Sequence, residues 1–265
     1  MCGDDYSRGK DSLDIKRWDY QLEITENRNI CLNFYKFSVV SKEIASVAVA
    51  GQFCMIGLEK VFLRRPLSIY SADKNTGTVS FLYKVVGKGT DILANLPVGS
   101  EVKVLGPLGQ GYPLDIKDNF EPVLVAGGTG VASIHCLASN LSKPGSLYYG
   151  VRKKEEIMCL TDFEKSGWKI NISTEDGSYG YKGFVTDLLA KQIQQNSVIY
   201  VCGPTPMMKK VAEITKEKNI SGYASLEQKM ACGVGNCQGC AVKINNAYKM
   251  ACKDGPVFPI EAITF

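Results

Sequence analysis

The chain has 265 residues, 45% hydrophobic and 22% charged, the composition of a globular protein long enough for one large domain or two ordinary ones. A formal net charge of +4, carried by scattered basic residues, argues against a nucleic-acid partner. The start Met1-Cys2-Gly3-Asp4-Asp5 is acidic where a signal peptide is basic, and no apolar run of about 18 residues occurs. The expectation is a cytoplasmic protein with no membrane partner, so that ten cysteines need an explanation other than a disulfide framework.

In chain order, residues 1–19 read as a charged, flexible extension. Residues 20–116 read as short strands, including Cys31 to Val40, Gln52 to Leu58, Thr78 to Val85 and Glu101 to Leu105, broken by Gly77, Pro97, Gly99, Gly106, Pro107, Gly109, Gly111 and Pro113. An antiparallel β-barrel is the natural architecture. Residues 117–222 alternate strand and helix: strands at Pro122 to Ala126, Ser146 to Val151, Lys169 to Thr174 and Ser197 to Cys202. A first helix carries Val131, Ile134, Leu137, Ala138 and Leu141, and later ones are expected to bury Phe184, Leu188 and Leu189, then Met208, Val211, Ala212 and Thr215. That pattern predicts a parallel α/β sheet with crossovers. Residues 223–265 hold too few apolar residues for an independent core and predict a small module organised by a bound group.

Within the barrel, Arg65-Pro66-Leu67-Ser68-Ile69-Tyr70 supplies a guanidinium and a hydroxyl, parts that a flavin dinucleotide needs for its pyrophosphate and its N5 edge. A surface strand produces the same four residues. The run Leu82-Tyr83-Lys84-Val85-Val86-Gly87-Lys88-Gly89-Thr90 ends a strand in a glycine turn, and Thr90 is placed to cap a short helix whose amides suit a phosphate; an ordinary capped turn is the alternative. Ala126-Gly127-Gly128-Thr129-Gly130-Val131 joins the first α/β strand to its helix, where bare backbone approaches a pyrophosphate or nicotinamide, although the full G-x-G-x-x-G pattern is not met. Cys202-Gly203-Pro204 makes a second sharp turn on the same sheet edge, and two such loops form a cleft.

Glu175-Asp176-Gly177-Ser178 lies on that edge too, with carboxylates for ribose hydroxyls or for a plain turn. Arg152-Lys153-Lys154 suits a 2′-phosphate or a solvated charge run, which leaves NAD and NADP both open. His135 falls inside the first helix and reads as structural. Cys202 is either a buried thiol or a residue beside the nicotinamide.

Four of the ten cysteines crowd together: Cys232, Cys237, Cys240 and Cys252, spaced C-x4-C-x2-C-x11-C. The first intervals are those of a plant-type [2Fe-2S] site, and Gly233, Gly235 and Gly239 allow backbone amides close to the sulfurs. Zinc is the alternative, but it favours two short knuckles and only Cys237 and Cys240 form one.

Taken together these segments resemble the ferredoxin reductase superfamily and, within it, the electron-transfer subunits of dihydroorotate dehydrogenase B. The resemblance runs from about Tyr20 to Phe258. It is carried by the segments above, by Gly106-Pro107-Leu108-Gly109 and Lys182-Gly183-Phe184-Val185-Thr186-Asp187, and most specifically by Ser225-Leu226-Glu227-Gln228-Lys229-Met230 and Cys252-Lys253-Asp254-Gly255-Pro256-Val257-Phe258. It implies an FAD-binding barrel over 20–116, an NAD-binding domain over 117–222 and a [2Fe-2S] module over 223–265. FAD is expected on Arg65, Pro66, Leu67, Ser68, Leu82, Tyr83, Lys84, Gly89 and Thr90. The nucleotide is expected on Gly127, Gly128, Thr129, Gly130, Asp176, Cys202, Gly203 and Pro204, with Ser68 and Cys202 beside the hydride path, and the cluster on the four cysteines. It further implies a heterotetramer with an FMN-containing dihydroorotate dehydrogenase catalytic subunit, two of each, in pyrimidine synthesis. Asn236 and Gln238, beside the middle cysteine, are more polar than that family's pattern.

Overall fold

A computed structural model describes residues 19–265, so the predicted extension, with Cys2, lies outside the described residues except for Asp19. The elements β1 (Asp19–Cys31), β2 (Phe34–Val40), α1 (Lys42–Val47), β3 (Phe53–Gly57), β4 (Arg65–Ala72), β5 (Thr78–Lys84), α2 (Lys88–Ala94) and β6 (Glu101–Leu108) come first. Their strands close a barrel in the order β1-β2-β5-β4-β3-β6. Closure depends on β1, which pairs with β6 from Asp19 to Glu23 and with β2 from Ile24 onward; a register shift between Ile24 and Glu26 turns the strand through the corner. The strand predicted from Cys31 to Val40 is interrupted at Leu32 and Asn33, where Leu32 takes φ 45° and the chain reverses into a hairpin.

Strand alternation then sorts the side chains. Cys54 and Ile56 point into the barrel with Ile24, Phe37, Ile69 and Phe81, all fully buried. Phe53 and Met55 on the same strand face outward, into a second core shared with the rest of the chain.

The second half comprises β7 (Glu121–Gly127), α3 (Val131–Ala138), β8 (Ser146–Val151), α4 (Leu160–Lys165), β9 (Lys169–Thr174), β10 (Tyr181–Lys182), α5 (Val185–Gln192), β11 (Ser197–Cys202), α6 (Thr205–Lys218) and β12 (Ser221–Ser225). A hairpin, β13 (Ala241–Ile244) with β14 (Ala247–Met250), and the short β15 (Val257–Pro259) follow. The seven-stranded sheet runs β10-β9-β8-β7-β11-β12-β15. Strands β7 and β11 are apolar on both faces because helices cover both, as a parallel crossover sheet requires. The sheet is parallel with crossovers as expected, and at one edge β15 pairs antiparallel with β12, Tyr223 to Ser225 against Pro259 to Val257. The last module thereby completes the nucleotide domain's sheet, and the boundary expected at 222/223 falls inside β12.

Phe184, expected on a buried helix face, is exposed. Helix α5 begins only at Val185, so its inward stripe is Val185, Leu188 and Leu189, and Phe184 is left at the cap. His135 is structural as expected. Its ring stacks on Tyr70 of the barrel at 4.0 Å, and Tyr70 donates to Asp162 at 2.8 Å, so the two domains are pinned together. Burial holds the His135 pKa below its usual value; the Tyr70 carbonyl and Asp162 offset this only in part. Among the described residues no helix is long and apolar enough to cross a membrane.

Candidate functional site

The flavin segments meet at the barrel mouth. Strand β4 begins with Arg65, and the Arg65 guanidinium lies directly over Gly89 in the first turn of α2; a Cβ at Gly89 would overlap it. Arg65 Nη1 donates to the Leu63 carbonyl, which fixes the root of the fork. Helix α2 starts two residues before Thr90, so Thr90 caps from inside: its Oγ1 accepts from Val86 at 2.9 Å and from Gly87 at 3.2 Å. Ser68 is half-buried on β4, opposite Phe53. Leu82 and Tyr83 are buried in the barrel, Tyr83 donating to Asn27 at 3.2 Å. Lys84 turns the other way, its Nζ 4.8 Å from the Phe34 ring centre and 3.9 Å from Glu156.

Gly89→Ala should lower FAD affinity about tenfold to a hundredfold, because the guanidinium must leave its seat and a charge-assisted bond to a phosphate goes with it. The obstructing atoms are the end of a flexible side chain, so the fold should hold. Flavin titration of the apoprotein, alongside its melting temperature, checks both halves; a large loss of stability would contradict the assignment.

Lys84 opens onto a cleft of about 770 Å³ along the carboxyl ends of the sheet strands. Gly127, Gly128, Thr129, Gly203 and Pro204 line it. The glycines divide the work. Gly128 has φ +53° and open space around its missing Cβ, so it can bear a ligand's close approach. Gly127 packs on Pro204 and Met207, and Gly130 on the Cys202 carbonyl, which lets the two turns abut.

Three of the residues expected at the nucleotide do not line the cleft: Gly130, Cys202 and Asp176. Cys202 is fully buried beneath the cleft beside Tyr112, and burial pushes its thiol pKa up. The Asp176 carboxylate accepts from its own turn at Ser178, 2.9 Å from the amide and 2.6 Å from the hydroxyl, while neighbouring Glu175 lines the cleft.

Two acids went unremarked as site residues in the sequence. Burial would raise the Glu156 pKa, but the Arg152 side chain and backbone and Lys84 outweigh it and hold the carboxylate ionised. Arg152 Nε lies 3.1 Å from Glu156 Oε1, so the cation is already partnered. The i,i+4 spacing was the available signal. Glu227, two residues past β12, also lines the cleft; it is open to cleft water yet crowded by wall atoms, and desolvation raises its pKa.

The cysteine loop is built by backbone amides. Val234 and Cys237 amides each donate to Cys232 Sγ at 3.4 Å, Gly235 to Cys252 Sγ at 3.1 Å, and Cys252 to Cys240 Sγ at 3.4 Å. Gly235 reaches its sulfur at φ +85°. At Cys232 burial opposes ionisation, but the amides of Cys237, Val234 and Asn236 and the Cys237 thiol win, and the pKa falls to about 6. Cys252 is pushed up to about 12 by burial and by the adjoining Cys240 thiol.

Cys232 thus has the Cys237 thiol as its neighbour, and Cys252 that of Cys240. Among the described residues no three His, Cys, Asp or Glu side chains close around one ion. In a two-iron cluster each iron takes two thiolates, so four cysteines grouped as two pairs fit one. The first pair is at the surface and the second buried.

The loop sits against the flavin domain. A Cβ at Gly233 would meet Met55 of β3 at 2.7 Å, and one at Gly109 would meet the Gly255 carbonyl at 2.6 Å. Since Met55 pairs with Pro66 and Phe53 with Ser68, the flavin strand and the cysteine loop are separated by a single β-strand.

A barrel with a phosphate-type mouth, a nucleotide cleft on a crossover sheet and a thiolate loop define a flavin- and NAD-linked oxidoreductase component of the ferredoxin reductase type. Sequence models agree region by region: an oxidoreductase FAD-binding domain over 21–112, an oxidoreductase NAD-binding domain over 124–213, and the iron-sulfur cluster binding domain of dihydroorotate dehydrogenase B over 227–264. The chain is 37% identical over 239 residues to the dihydroorotate dehydrogenase B (NAD(+)) electron transfer subunit of Desulforamulus reducens, covering 86% of this chain and 91% of that one. Its counterpart in Clostridium acetobutylicum is 39% identical over 243 residues, 90% of this chain and 95% of that one. This chain belongs to the family of dihydroorotate dehydrogenase B electron-transfer subunits, and its role is electron transfer linking FAD and an iron–sulfur centre to NAD.

Among solved structures, an NADH-dependent reduced ferredoxin-NADP oxidoreductase superposes with a TM-score of 0.84 at 30% identity, covering 92% of this chain and 90% of that one. Ferredoxin-NADP+ reductase from Plasmodium falciparum shares the fold, with a TM-score of 0.63 at 19% identity over 76% of this chain and 91% of that one.

Proposed function

We propose that this chain passes electrons between NAD(H) and a [2Fe-2S] cluster through FAD, serving an FMN-containing catalytic subunit that oxidises dihydroorotate to orotate. The observation that carries the reading is the single strand, β3, between the flavin strand and the cysteine loop: Met55 touches Gly233 on one side and pairs with Pro66 on the other. Bound FAD would exchange a hydride with nicotinamide and single electrons with the cluster.

The residues of the chain arrange those partners. Arg65 and the α2 turn hold the flavin phosphates, and Ser68 offers its hydroxyl to the flavin ring. Gly128 takes the nucleotide pyrophosphate. Cys232, Cys237, Cys240 and Cys252 ligate the irons, with loop amides dispersing the cluster's charge. Arg152 is tied to Glu156 and flanked by Glu175, so this guanidinium is not free for a 2′-phosphate, which supports NADH over NADPH.

The relatives' names supply the partner, and a tetramer of two chains of each kind is the proposed assembly. The alternative is a reductase of another acceptor, favoured by the TM-score of 0.84 to an NADH-dependent ferredoxin-NADP oxidoreductase.

Anaerobically purified protein should be brown-yellow, contain one FAD and two irons per chain, and bleach on addition of NADH. Co-expression with an FMN-type dihydroorotate dehydrogenase should give a stable complex that reduces NAD+ with dihydroorotate. A colourless, zinc-containing, flavin-free chain would sink the electron-transfer reading. A coloured chain that ignores the dehydrogenase but rapidly reduces ferredoxin would move the assignment to the alternative.

A further inference from the structure

Each half of the chain holds one reactant, the barrel the flavin and the sheet the nucleotide, so the hydride distance depends on how the halves are set against each other. The flavin strand β4 runs from Arg65 through Ser68 to Tyr70, and helix α3 opens directly from the Gly128 turn. These two elements meet where Tyr70 touches His135, the single histidine of the chain. His135 does not line the cleft, so any effect it has on the reactants passes through Tyr70 and α3.

The contact is specific in its atoms. The two rings stack with centres 4.0 Å apart and planes within 17°, and the Phe163 ring of α4 packs edge-on against His135 at 5.5 Å. His135 Nδ1 lies 3.2 Å from the Tyr70 carbonyl oxygen. A carbonyl only accepts, so Nδ1 carries the proton and Nε2 of the neutral ring has a bare lone pair. That lone pair faces Asp162 Oδ2 at 3.5 Å, an oxygen already accepting from Tyr70 Oη at 2.8 Å. One bond and one stack therefore join β4 to α3 while the ring is neutral.

The titratable and charged groups around the ring are Tyr70 on β4, Lys36 on β2, and Cys159 and Asp162 at the start of α4. Burial raises the pKa of Tyr70, and it pushes the Cys159 thiol up to about 11, so both stay neutral in weak acid. A second proton on His135 is opposed by burial and by Lys36, and the Tyr70 carbonyl and Asp162 recover only part of the loss. The seated ring thus binds a proton less well than a ring in water. By linkage the seated arrangement is fully favoured above the ordinary histidine pKa of about 6.5 and is lost as pH falls through the lower value of the seated ring.

We infer that His135 is a positioning residue for hydride transfer, which holds the flavin strand against the helix of the nucleotide turn while its ring is neutral and releases it when the ring is protonated. The inference rests on the flavin and nucleotide reading given above. It makes the relative setting of the two halves, and with it the rate of hydride exchange, sensitive to mild acid.

The test is anaerobic rapid mixing of the oxidised holoprotein, FAD and cluster in place, with saturating NADH from about pH 8 to about pH 5. In the unmodified protein the limiting rate of flavin bleaching should fall about tenfold toward acid while FAD stays bound. His135→Asn places an amide donor near the Nδ1 position but takes up no proton, so it should keep most of the neutral-pH rate and lose the acid fall. His135→Ala lacks the donor and should be about tenfold slower at every pH, with its affinity for NADH unchanged. An acid fall of the same size in His135→Asn, or a normal rate in His135→Ala, would overturn the inference. So would loss of FAD in step with the rate, which would make His135 a packing residue alone. Failure of NADH to bleach the unmodified protein at any pH would instead refute the hydride reading itself, and the inference with it.

Discussion

Cys240→Ser abolishes the iron–sulfur absorption and cuts electron delivery to an external acceptor by more than about a hundredfold, while NADH still bleaches the flavin. Residues that merely support a metal ligand cost tenfold to a hundredfold when changed, and a ligand costs more. Cys240 is 1% exposed and its partner Cys252 2%, so this pair forms the inner half of the thiolate loop. A serine oxygen in that position is a hard, poorly ionised donor where iron needs a soft thiolate. The proposed flavin seat at Arg65 and Gly89 and the cleft at Gly128 do not involve Cys240, which is why hydride transfer should survive. The loop should also loosen, because metal–ligand bonds in so small a module are part of its folding energy. Iron analysis, the visible spectrum and limited proteolysis report these effects together. Retention of two irons with full electron delivery would remove Cys240 from the ligand set.

Gly130→Ala is expected to be strongly damaging to the nucleotide domain. Its Cβ would stand 2.5 Å from the Cys202 carbonyl carbon and 2.9 Å from the Gly203 nitrogen, and these are backbone atoms that cannot swing aside. Gly130 has an ordinary helical φ of −58°, so the requirement is for space, and backbone strain plays no part. Either α3 lifts off β11 or the turn at Gly203 shifts, at a cost of about 3 kcal/mol. For a chain of this size that lowers the melting temperature by about 6–12 °C. Nucleotide affinity should fall with it, since the two turns that floor the cleft no longer abut. Gly128→Ala is the informative contrast: nothing lies within 4 Å of its Cβ, but φ is +53°, so a cost of about 1 kcal/mol is expected and the main loss should be in nucleotide binding. Calorimetry with and without NAD+ separates the two; equal, small effects would refute the packing role of Gly130.

Much of this was written in local order. The C-x4-C-x2-C-x11-C spacing names its chemistry because the residues that wrap one cluster lie within 21 positions, Cys232 to Cys252. The strands at 122–126, 146–151, 169–174 and 197–202 were legible from continuous apolar runs between glycine turns, and they form β7, β8, β9 and β11. The barrel's full β1 was less legible, since a thirteen-residue strand that changes partners midway has no single alternating pattern. Phe184 looked like a core residue because its neighbours are, and only the start of α5 one residue later left it exposed.

The chain by itself determined the three kinds of segment, because phosphate turns, crossover strands and thiolate loops are encoded over a few residues each. It could not say which of those residues face one another. That Arg65 lies over Gly89, that Cys202 is sealed beneath the cleft floor, and that Glu227 lines the cleft with Lys84 all depend on contacts between segments far apart in sequence. Such contacts are fixed by how the barrel, the sheet and the cysteine module pack around the outward side of β3 and the edge of β12, and no local pattern carries that geometry.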